Sequence, residues 1–112
     1  MIHELREYIA HPGTAERLHD RFRDVTLPLF RKHGLEVVGF GVDAGDPLRI
    51  QYLLRFEDAE AQRQAWDGFQ GDHEWIRTKE ASEADGPIVA SMSSRTLESV
   101  SYWPGDENGA SR

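Results

Sequence analysis

The chain has 112 residues, a formal net charge of −7 and no cysteine. A chain of this length builds one domain, and its 38% hydrophobic content favours a packed globule over a disordered chain. The acidic balance without a basic stripe argues against nucleic-acid binding, and the lack of cysteine excludes disulfides, thiolate metal sites and cysteine nucleophiles.

The sequence has no segment typical of membrane insertion or secretion. Charged residues at Glu4, Arg6 and Glu7 interrupt the place where a signal peptide would need an apolar run. The longest uncharged stretches are too short to span a bilayer. We therefore expect a cytoplasmic protein without a membrane partner.

Residues 2–10 alternate with period two and predict a first strand whose one face is charged. Glu4, Arg6 and Tyr8 project from the same face as Ile2, because successive side chains of a strand point to opposite sides. The other face carries His3, Leu5, Glu7 and Ile9. A charged strand face in so small a protein is either exposed to water or lines a site.

A long helix is predicted after Pro12-Gly13, with Thr14 as its N-cap. Its apolar stripe has spacings of three and four and consists of Ala15, Leu18, Phe22, Val25 and Leu29. Pro28 should kink this helix or start a new turn because proline has no N–H to donate, and Gly34 should end it. The charged residues assigned to the solvated face of this helix are Glu16, Arg21, Arg23 and Asp24.

The rest of the chain predicts a hairpin, two short helices and a last strand. Residues 35–42 and 48–56 read as strands joined by turn chemistry at 43–47. Asp58 and Asp72 are candidate N-caps for helical segments on either side of the break at Gly71-Asp72. Residues 88–91 are ambiguous, residues 95–103 alternate as a final strand, and a polar tail at 104–112 is expected to fray.

The resulting order, β-α-β-β-α-β, predicts an α+β, ferredoxin-like domain over residues 1–103, with an antiparallel sheet and both helices on one face. The other face of such a sheet is bare. A second copy of the chain is the simplest cover for it, so we expect a homodimer.

Several short motifs together resemble the NIPSNAP family over residues 2–103. They are Glu4-Leu-Arg-Glu-Tyr8, Pro12-Gly13, Pro28-Leu-Phe-Arg-Lys-His-Gly34, Val38-Gly-Phe40 and Asp72-His-Glu-Trp75. The resemblance implies a ferredoxin-like subunit whose sheet pairs face to face with that of a partner in a dimeric α+β barrel. The superfamily also includes cofactor-independent oxygenases, haem-degrading enzymes, lactone isomerases and cyclases, many with a pocket between sheet and helices.

Arg6 is the first candidate for a functional side chain. If its face looks towards the helices, its guanidinium is partly desolvated and needs an anionic partner. That partner is either Glu4, a group at a dimer seam, or the carboxylate or enolate of a ligand, which a guanidinium can orient by a planar two-point contact.

Aromatic residues complete the candidate pocket. Tyr8 either hydrogen-bonds a substrate oxygen or belongs to the core, and Phe40 lies between two glycines that mark a bulge or room for a ligand. Trp66 and Trp75 are nine residues apart, so they share a face only if the break at Gly71-Asp72 changes the helical phase; they either wall a pocket or seal helix against sheet. The candidate pocket residues are Glu4, Arg6, Tyr8, Phe40, Trp66 and Trp75.

Other chemistry has no support in the sequence. The five histidines form no zinc or facial-triad spacing, so no metal is expected. Gly39-Phe40-Gly41 lacks the rest of a dinucleotide fingerprint, and no Gly-x-Ser-x-Gly elbow surrounds the serines near residue 91, so no cofactor or hydrolase nucleophile is expected.

Two functions remain. One is a non-catalytic homodimer that holds a small apolar or anionic molecule, or none. The other is a cofactor-independent oxygenase, isomerase or cyclase for an aromatic or polyketide-like substrate, in which Arg6 stabilises an oxyanion and Tyr8 hydrogen-bonds it. No catalytic base is identified, since the nearest proton acceptor is Glu4. A cavity of a few hundred Å³ at Arg6 would favour ligand binding, whereas a cavity filled by side chains would favour a scaffold role.

Overall fold

Strands and helices follow one another in the predicted order. The computed structural model describes residues 1–103, and the predicted tail at 104–112 lies outside the described residues. The elements are β1 (Ile2–Ala10), α1 (Ala15–Arg21), a π-helical turn (Phe22–Thr26), α2 (Leu27–His33), β2 (Glu36–Asp43), β3 (Asp46–Phe56), α3 (Ala59–Gln70), α4 (His73–Ser82) and β4 (Val89–Glu98).

Within residues 1–103 the sheet has four strands in the order β2-β3-β1-β4, and each neighbouring pair is antiparallel. This arrangement confirms the predicted α+β, ferredoxin-like subunit. Arg6 lies opposite Tyr52 of β3 on one side and Ser94 of β4 on the other. The middle of β1 is therefore at the centre of the sheet, where neighbouring strands fix it on both sides.

The two faces of the sheet differ in cover. On the face of Arg6, β1 and β3 bury the side chains of Glu4, Ala10, Ile50, Tyr52, Leu54 and Phe56 against the helices. The core between the layers also contains Leu18 of α1, Phe30 of α2 and Phe69 of α3. On the opposite face, Leu5 and Leu97 are 36% and 45% exposed, because no described helix packs there.

Proline and glycine shape the first helical segment as predicted. Pro28 sits in the first turn of α2 and cannot donate to the carbonyl oxygen four residues back. The Leu27 N–H donates to the Phe22 carbonyl oxygen, five residues back, and the turn before the proline is π-helical. Gly34 then ends α2 with a left-handed φ of 84°.

Two details of the sequence interpretation were wrong. Thr14 occupies the predicted N-cap position of α1, but its hydroxyl makes no capping hydrogen bond: Oγ1 lies 2.8 Å from the carbonyl oxygens of both His11 and Ile88, and its one proton is directed to them. The last strand begins at Val89 and ends at Glu98. Its serine-rich first half has weak intrinsic strand preference, but pairing with the whole length of β1 decides the outcome.

Asp72 joins the start of α4 to the end of α2. Its Oδ1 accepts from the Glu74 N–H at 2.8 Å, as predicted for an N-cap, while its Oδ2 lies 2.7 Å from His33 Nε2 and 3.1 Å from Lys32 Nζ. The hydrogen bond with His33, followed by those from Lys32 and the Glu74 amide, lowers the pKa of Asp72 well below its usual range. The ionised carboxylate therefore stabilises the packing of the two helices.

We expect Asp72→Asn to destabilise the protein near pH 6 and to do so progressively less as the pH falls from 5 towards 3. A carboxylate whose pKa is lowered on folding stabilises the folded state. This stabilisation is complete above pH of about 4, the pKa of aspartate in an unfolded chain, and it is lost as the pH falls towards the folded-state pKa. Free energies of unfolding from urea titrations at several pH values measure the difference between the two proteins.

Asp58→Asn is the matched control for this experiment. Asp58 caps α3 by accepting from the Ala61 N–H at 2.8 Å, and no basic side chain bonds to it among the described residues. Since asparagine also caps a helix, this variant reports how much the negative charge of an N-cap contributes when no cation pairs with it. A destabilisation by Asp72→Asn that stayed constant from pH 6 to pH 3 would contradict a role for the ionised pair.

Candidate functional site

A cavity of about 330 Å³ lies between the helix-facing side of β1 and the helices. Its walls are largely aromatic and are formed by Tyr8, Phe22, Phe30, Trp66, Phe69 and Trp75. The charged side chains that line it are Arg6, Arg21, Lys79 and Glu83. The cavity is thus an apolar chamber with a few charged groups, which is typical of small-molecule sites.

Arg6 is held at the cavity by side chains of the sheet. Its Nη1 donates to Glu4 Oε2 at 2.8 Å, its Nε to Tyr52 Oη at 3.1 Å and its Nη2 to Tyr8 Oη at 3.0 Å. The guanidinium carbon lies 4.4 Å from the centre of the Trp66 ring, a cation–π contact. These contacts fix both the position and the plane of the guanidinium.

Glu4 is the buried counter-charge of Arg6, and it does not line the cavity. Besides the bond from Arg6, its Oε1 accepts from Trp66 Nε1 at 2.8 Å and from Gln62 Nε2 at 2.9 Å. The carboxylate is therefore paired and hydrogen-bonded, as a buried charge must be. Glu4 was the one candidate base in the sequence, and both of its oxygens are engaged by these bonds outside the cavity.

Two pKa shifts describe the electrostatics of this cluster. Burial lowers the pKa of Arg6, but its contacts with Tyr8, Tyr52 and Glu4 outweigh burial, and the net effect raises the pKa. Burial, together with the neighbouring Tyr8, raises the pKa of Tyr52, although Arg6 opposes that shift. Arg6 therefore stays charged and Tyr52 stays protonated at neutral pH.

The hydrogen-bond directions in the cluster determine where the proton of Tyr8 points. Tyr52 Oη accepts from Arg6 and lies 3.2 Å from Tyr8 Oη; because Tyr52 is 2% exposed and has no other acceptor for its proton within residues 1–103, it donates to Tyr8 Oη. Tyr8 Oη thus accepts two hydrogen bonds, from Arg6 Nη2 and from Tyr52. Since Tyr8 lines the cavity and gives its proton to no described residue, its O–H is available to a group inside the cavity.

Trp66 and Trp75 reach the same cavity because the chain breaks between them. Gly71 ends α3 and Asp72 caps α4, so the helical phase changes, as the sequence interpretation required. Phe69 lies between the two indoles, with ring centres 5.8 Å from Trp66 and 4.7 Å from Trp75. Trp66 meets Phe69 edge to face at 79°, and Phe69 is tilted by 34° to Trp75. The three rings line the cavity side by side, and we call them the aromatic wall.

Phe40, expected in the pocket, lies outside this cavity. Its ring stacks on Tyr52 with centres 5.2 Å apart and planes 13° apart, and it is 38% exposed. The glycines beside it accompany a β-bulge, since the register with β3 shifts between Val37 and Gly39. Phe40 therefore supports Tyr52 from the edge of the sheet.

Arg21 was missed by the sequence interpretation, which placed it on the solvated face of the first helix. It is only 7% exposed and lines the cavity. Its Nη1 donates to Ser82 Oγ and Glu83 Oε2, both at 3.0 Å. A signal for burial existed, because position 21 lies three residues after Leu18 and four before Val25 on the apolar stripe.

Residues 1–103 contain no group of three or more histidine, aspartate and glutamate side chains placed to hold a metal ion. Among the same residues, no helix combines the length and apolar character needed to cross a bilayer.

Solved structures share this fold. The chain superposes on a NIPSNAP-like domain protein from Burkholderia xenovorans with a TM-score of 0.78 at 21% identity, covering 92% of this chain and 88% of that one. A NIPSNAP family protein from Agrobacterium tumefaciens gives 0.79 at 15% identity, covering 92% and 96%. An antibiotic biosynthesis monooxygenase gives 0.64 at 16% identity, covering 89% and 99%. At these identities the likeness shows the fold alone.

Sequence comparison identifies the family. No curated protein sequence matches the chain. The NIPSNAP family model matches residues 3–104, which is nearly the whole chain and confirms the resemblance found in the sequence motifs. The chain therefore belongs to the NIPSNAP family.

Proposed function

We propose that the protein is a homodimer that binds a small molecule with an apolar body and an acceptor oxygen in the cavity between sheet and helices. The observation that carries this proposal is the hydroxyl of Tyr8. Its oxygen already accepts from Arg6 and Tyr52, so it offers its proton to the cavity beside a fixed positive charge. A ketone, enolate or carboxylate oxygen fits such a donor.

The open cavity supports ligand binding over a purely structural role. Trp66, Trp75 and Tyr8 stand around a space of about 330 Å³ and do not fill it. Pockets for small molecules have volumes of roughly 300–1,000 Å³ and combine apolar walls with a few placed polar groups. A scaffold would gain stability by filling this space with side chains, since cavities in a core are destabilising.

The uncovered sheet face supports the homodimer. Leu5 and Leu53 lie opposite each other in register on that face, at the centre of the sheet. Gly39 and Gly41 of β2 lie on the same face, and a Cβ built on either would meet nothing within 4 Å. The face is thus flat and partly apolar, with ion pairs such as Arg49–Glu7 at 2.9 Å among the leucines, and a second copy would cover it.

For the dimer, we expect wild type to sediment as a dimer at micromolar concentration and Leu53→Glu to sediment as a monomer. A carboxylate at the centre of the covered face would be desolvated without a partner, which is costly. Ile76→Glu is the control, because Ile76 is 42% exposed on α4, away from the sheet face, and this variant should remain a dimer. Wild-type protein that sediments as a stable monomer at micromolar concentration would overturn the dimer.

A clean test of the ligand site must leave the ion pair intact. Arg6→Ala is unsuitable, because it would leave Glu4 buried without its cation at a cost of about 3–5 kcal/mol. Tyr8→Phe removes only the hydroxyl that faces the cavity. Tyr52→Phe is its matched control, since Tyr52 belongs to the same cluster but does not line the cavity.

We expect wild type to bind 4′-methylacetophenone about fivefold more tightly than 4-ethyltoluene, which has the same shape without the ketone oxygen. One neutral hydrogen bond contributes about 1 kcal/mol, which corresponds to that ratio. Tyr8→Phe should abolish the preference, and Tyr52→Phe should keep it. NMR titrations of the amide signals measure the dissociation constants. Equal binding of both compounds to wild type would contradict the proposed donor.

The second candidate, a cofactor-independent oxygenase, isomerase or cyclase, draws support from the same donor pair. Arg6 and Tyr8 together would stabilise an oxyanion that develops on a bound aromatic substrate. The similar fold of an antibiotic biosynthesis monooxygenase agrees with this candidate at the level of fold only. Catalysis also needs a proton acceptor, and the carboxylates of Glu4 and Glu83 are already paired with Arg6 and Arg21. Binding is therefore the better-supported function.

A further inference from the structure

Arg21 places a second guanidinium at the cavity, on a different element from Arg6. Its side chain is 6% exposed and carries a charge that only Glu83 pairs among the described residues. The bonds from Arg21 to Ser82 and Glu83 both use Nη1. One nitrogen of the guanidinium therefore attaches the end of α1 to the end of α4.

The other edge of this guanidinium is available. Nε and Nη2 have no acceptor among the described residues. Neither nitrogen is sealed from open space. Arg21 lines the cavity, and Nε and Nη2 are the nitrogens that remain for an acceptor placed there, since Nη1 is engaged by Ser82 and Glu83. Nε and Nη2 present parallel N–H bonds, and such a fork matches the two oxygens of a carboxylate.

The aromatic wall connects the two arginines. The guanidinium carbon of Arg6 lies 4.4 Å from the centre of the Trp66 ring, at one end of the wall, and that of Arg21 lies 5.2 Å from the centre of the Trp75 ring, at the other. Phe69 lies between the two indoles. A flat ligand on this wall would have a positive charge near each end.

The charge balance of the cavity favours an anion. Its lining contains the cations Arg6, Arg21 and Lys79 and the carboxylate of Glu83, and Glu4 neutralises Arg6 from outside the lining. One positive charge is therefore left over at the cavity, in a chain whose net charge is −7. Lys79 Nζ lies 3.6 Å from Glu83 Oε1, so Glu83 is shared between two cations. The surplus positive charge sits where low polarity strengthens its attraction for an anionic ligand.

We infer that the ligand of this cavity is an aromatic carboxylic acid with a second, acceptor oxygen. Its carboxylate binds the Nε–Nη2 edge of Arg21 while Glu83 keeps Nη1, its ring packs on the aromatic wall, and its second oxygen accepts from Tyr8 beside Arg6. This inference rests on the proposed binding function. It adds that the ligand carries a carboxylate and that Arg21 binds it.

The first test needs no variant. We expect wild type to bind 4-acetylbenzoate or its meta isomer at least about tenfold more tightly than the corresponding acetylbenzamide, which has the same shape without the charge. The two isomers place the carboxylate and the ketone oxygen at different separations. Isothermal titration calorimetry measures the four affinities. Equal affinity of acid and amide for both isomers would overturn the inference.

The second test assigns the acid preference to Arg21. Arg21→Gln should reduce the preference to about twofold or less, and Arg21→Lys should reduce it partly, because lysine keeps the charge but loses the two-point contact. Arg77→Gln is the control: it removes an exposed cation of α4 that does not line the cavity, and it should keep the preference. A preference that survives in Arg21→Gln would overturn the role of Arg21.

The failure of this inference can be told apart from that of the proposed function. If 4′-methylacetophenone binds through Tyr8 while acid and amide bind equally, the binding function stands and the carboxylate assignment is wrong. If neither the ketone nor the acids bind wild type, both are wrong. Should the Arg21 variants fail to fold, the comparison of acid with amide on wild type still decides the ligand class.

Discussion

The buried ion pair between Arg6 and Glu4, in the middle of the central strand, is the interaction on which the site depends. A buried pair is tolerated only where hydrogen bonds satisfy both charges, and here Glu4 also accepts from Trp66 and Gln62 while Arg6 also donates to Tyr8 and Tyr52. The pair therefore connects β1, β3 and α3 and orients the hydroxyl of Tyr8. The same contacts that fix the fold at this point create the donor that faces the cavity.

Much of this arrangement was predictable from local patterns. Alternation along residues 2–10 placed Glu4, Arg6 and Tyr8 on one face, and punctuation by proline, glycine and aspartate predicted most element boundaries. Tyr52 was not predictable as the partner of Arg6, because the pairing joins residues 46 positions apart and depends on the register of β1 with β3. Periodicity gives the face of a strand, but it does not give its neighbour.

Arg21 shows a second limit of sequence reasoning. Its position belongs to the apolar stripe of α1, yet its charge favoured assignment to solvent, since arginine is seldom buried without a partner. The partner, Glu83, lies 62 residues away, beyond the end of α4. The prediction for Phe40 was wrong in the opposite direction. Its type and its flanking glycines suggested a pocket, but it lies on β2, an edge strand of the sheet, and stacks on Tyr52.

The geometry of Arg21 distinguishes an arginine that also binds a ligand from one with a structural role alone. An arginine that served only to join α1 to α4 would gain from acceptors at all three nitrogens, because burial raises the cost of each unsatisfied N–H. The π-helical turn that follows Arg21 places Phe22 and Thr26 at the cavity, and these side chains line the space and do not fill it. A buried charge beside open space is more stable when an anion occupies that space. Binding of an anionic ligand therefore explains why Nε and Nη2 of Arg21 have no acceptor among the described residues, whereas a purely structural role does not explain it.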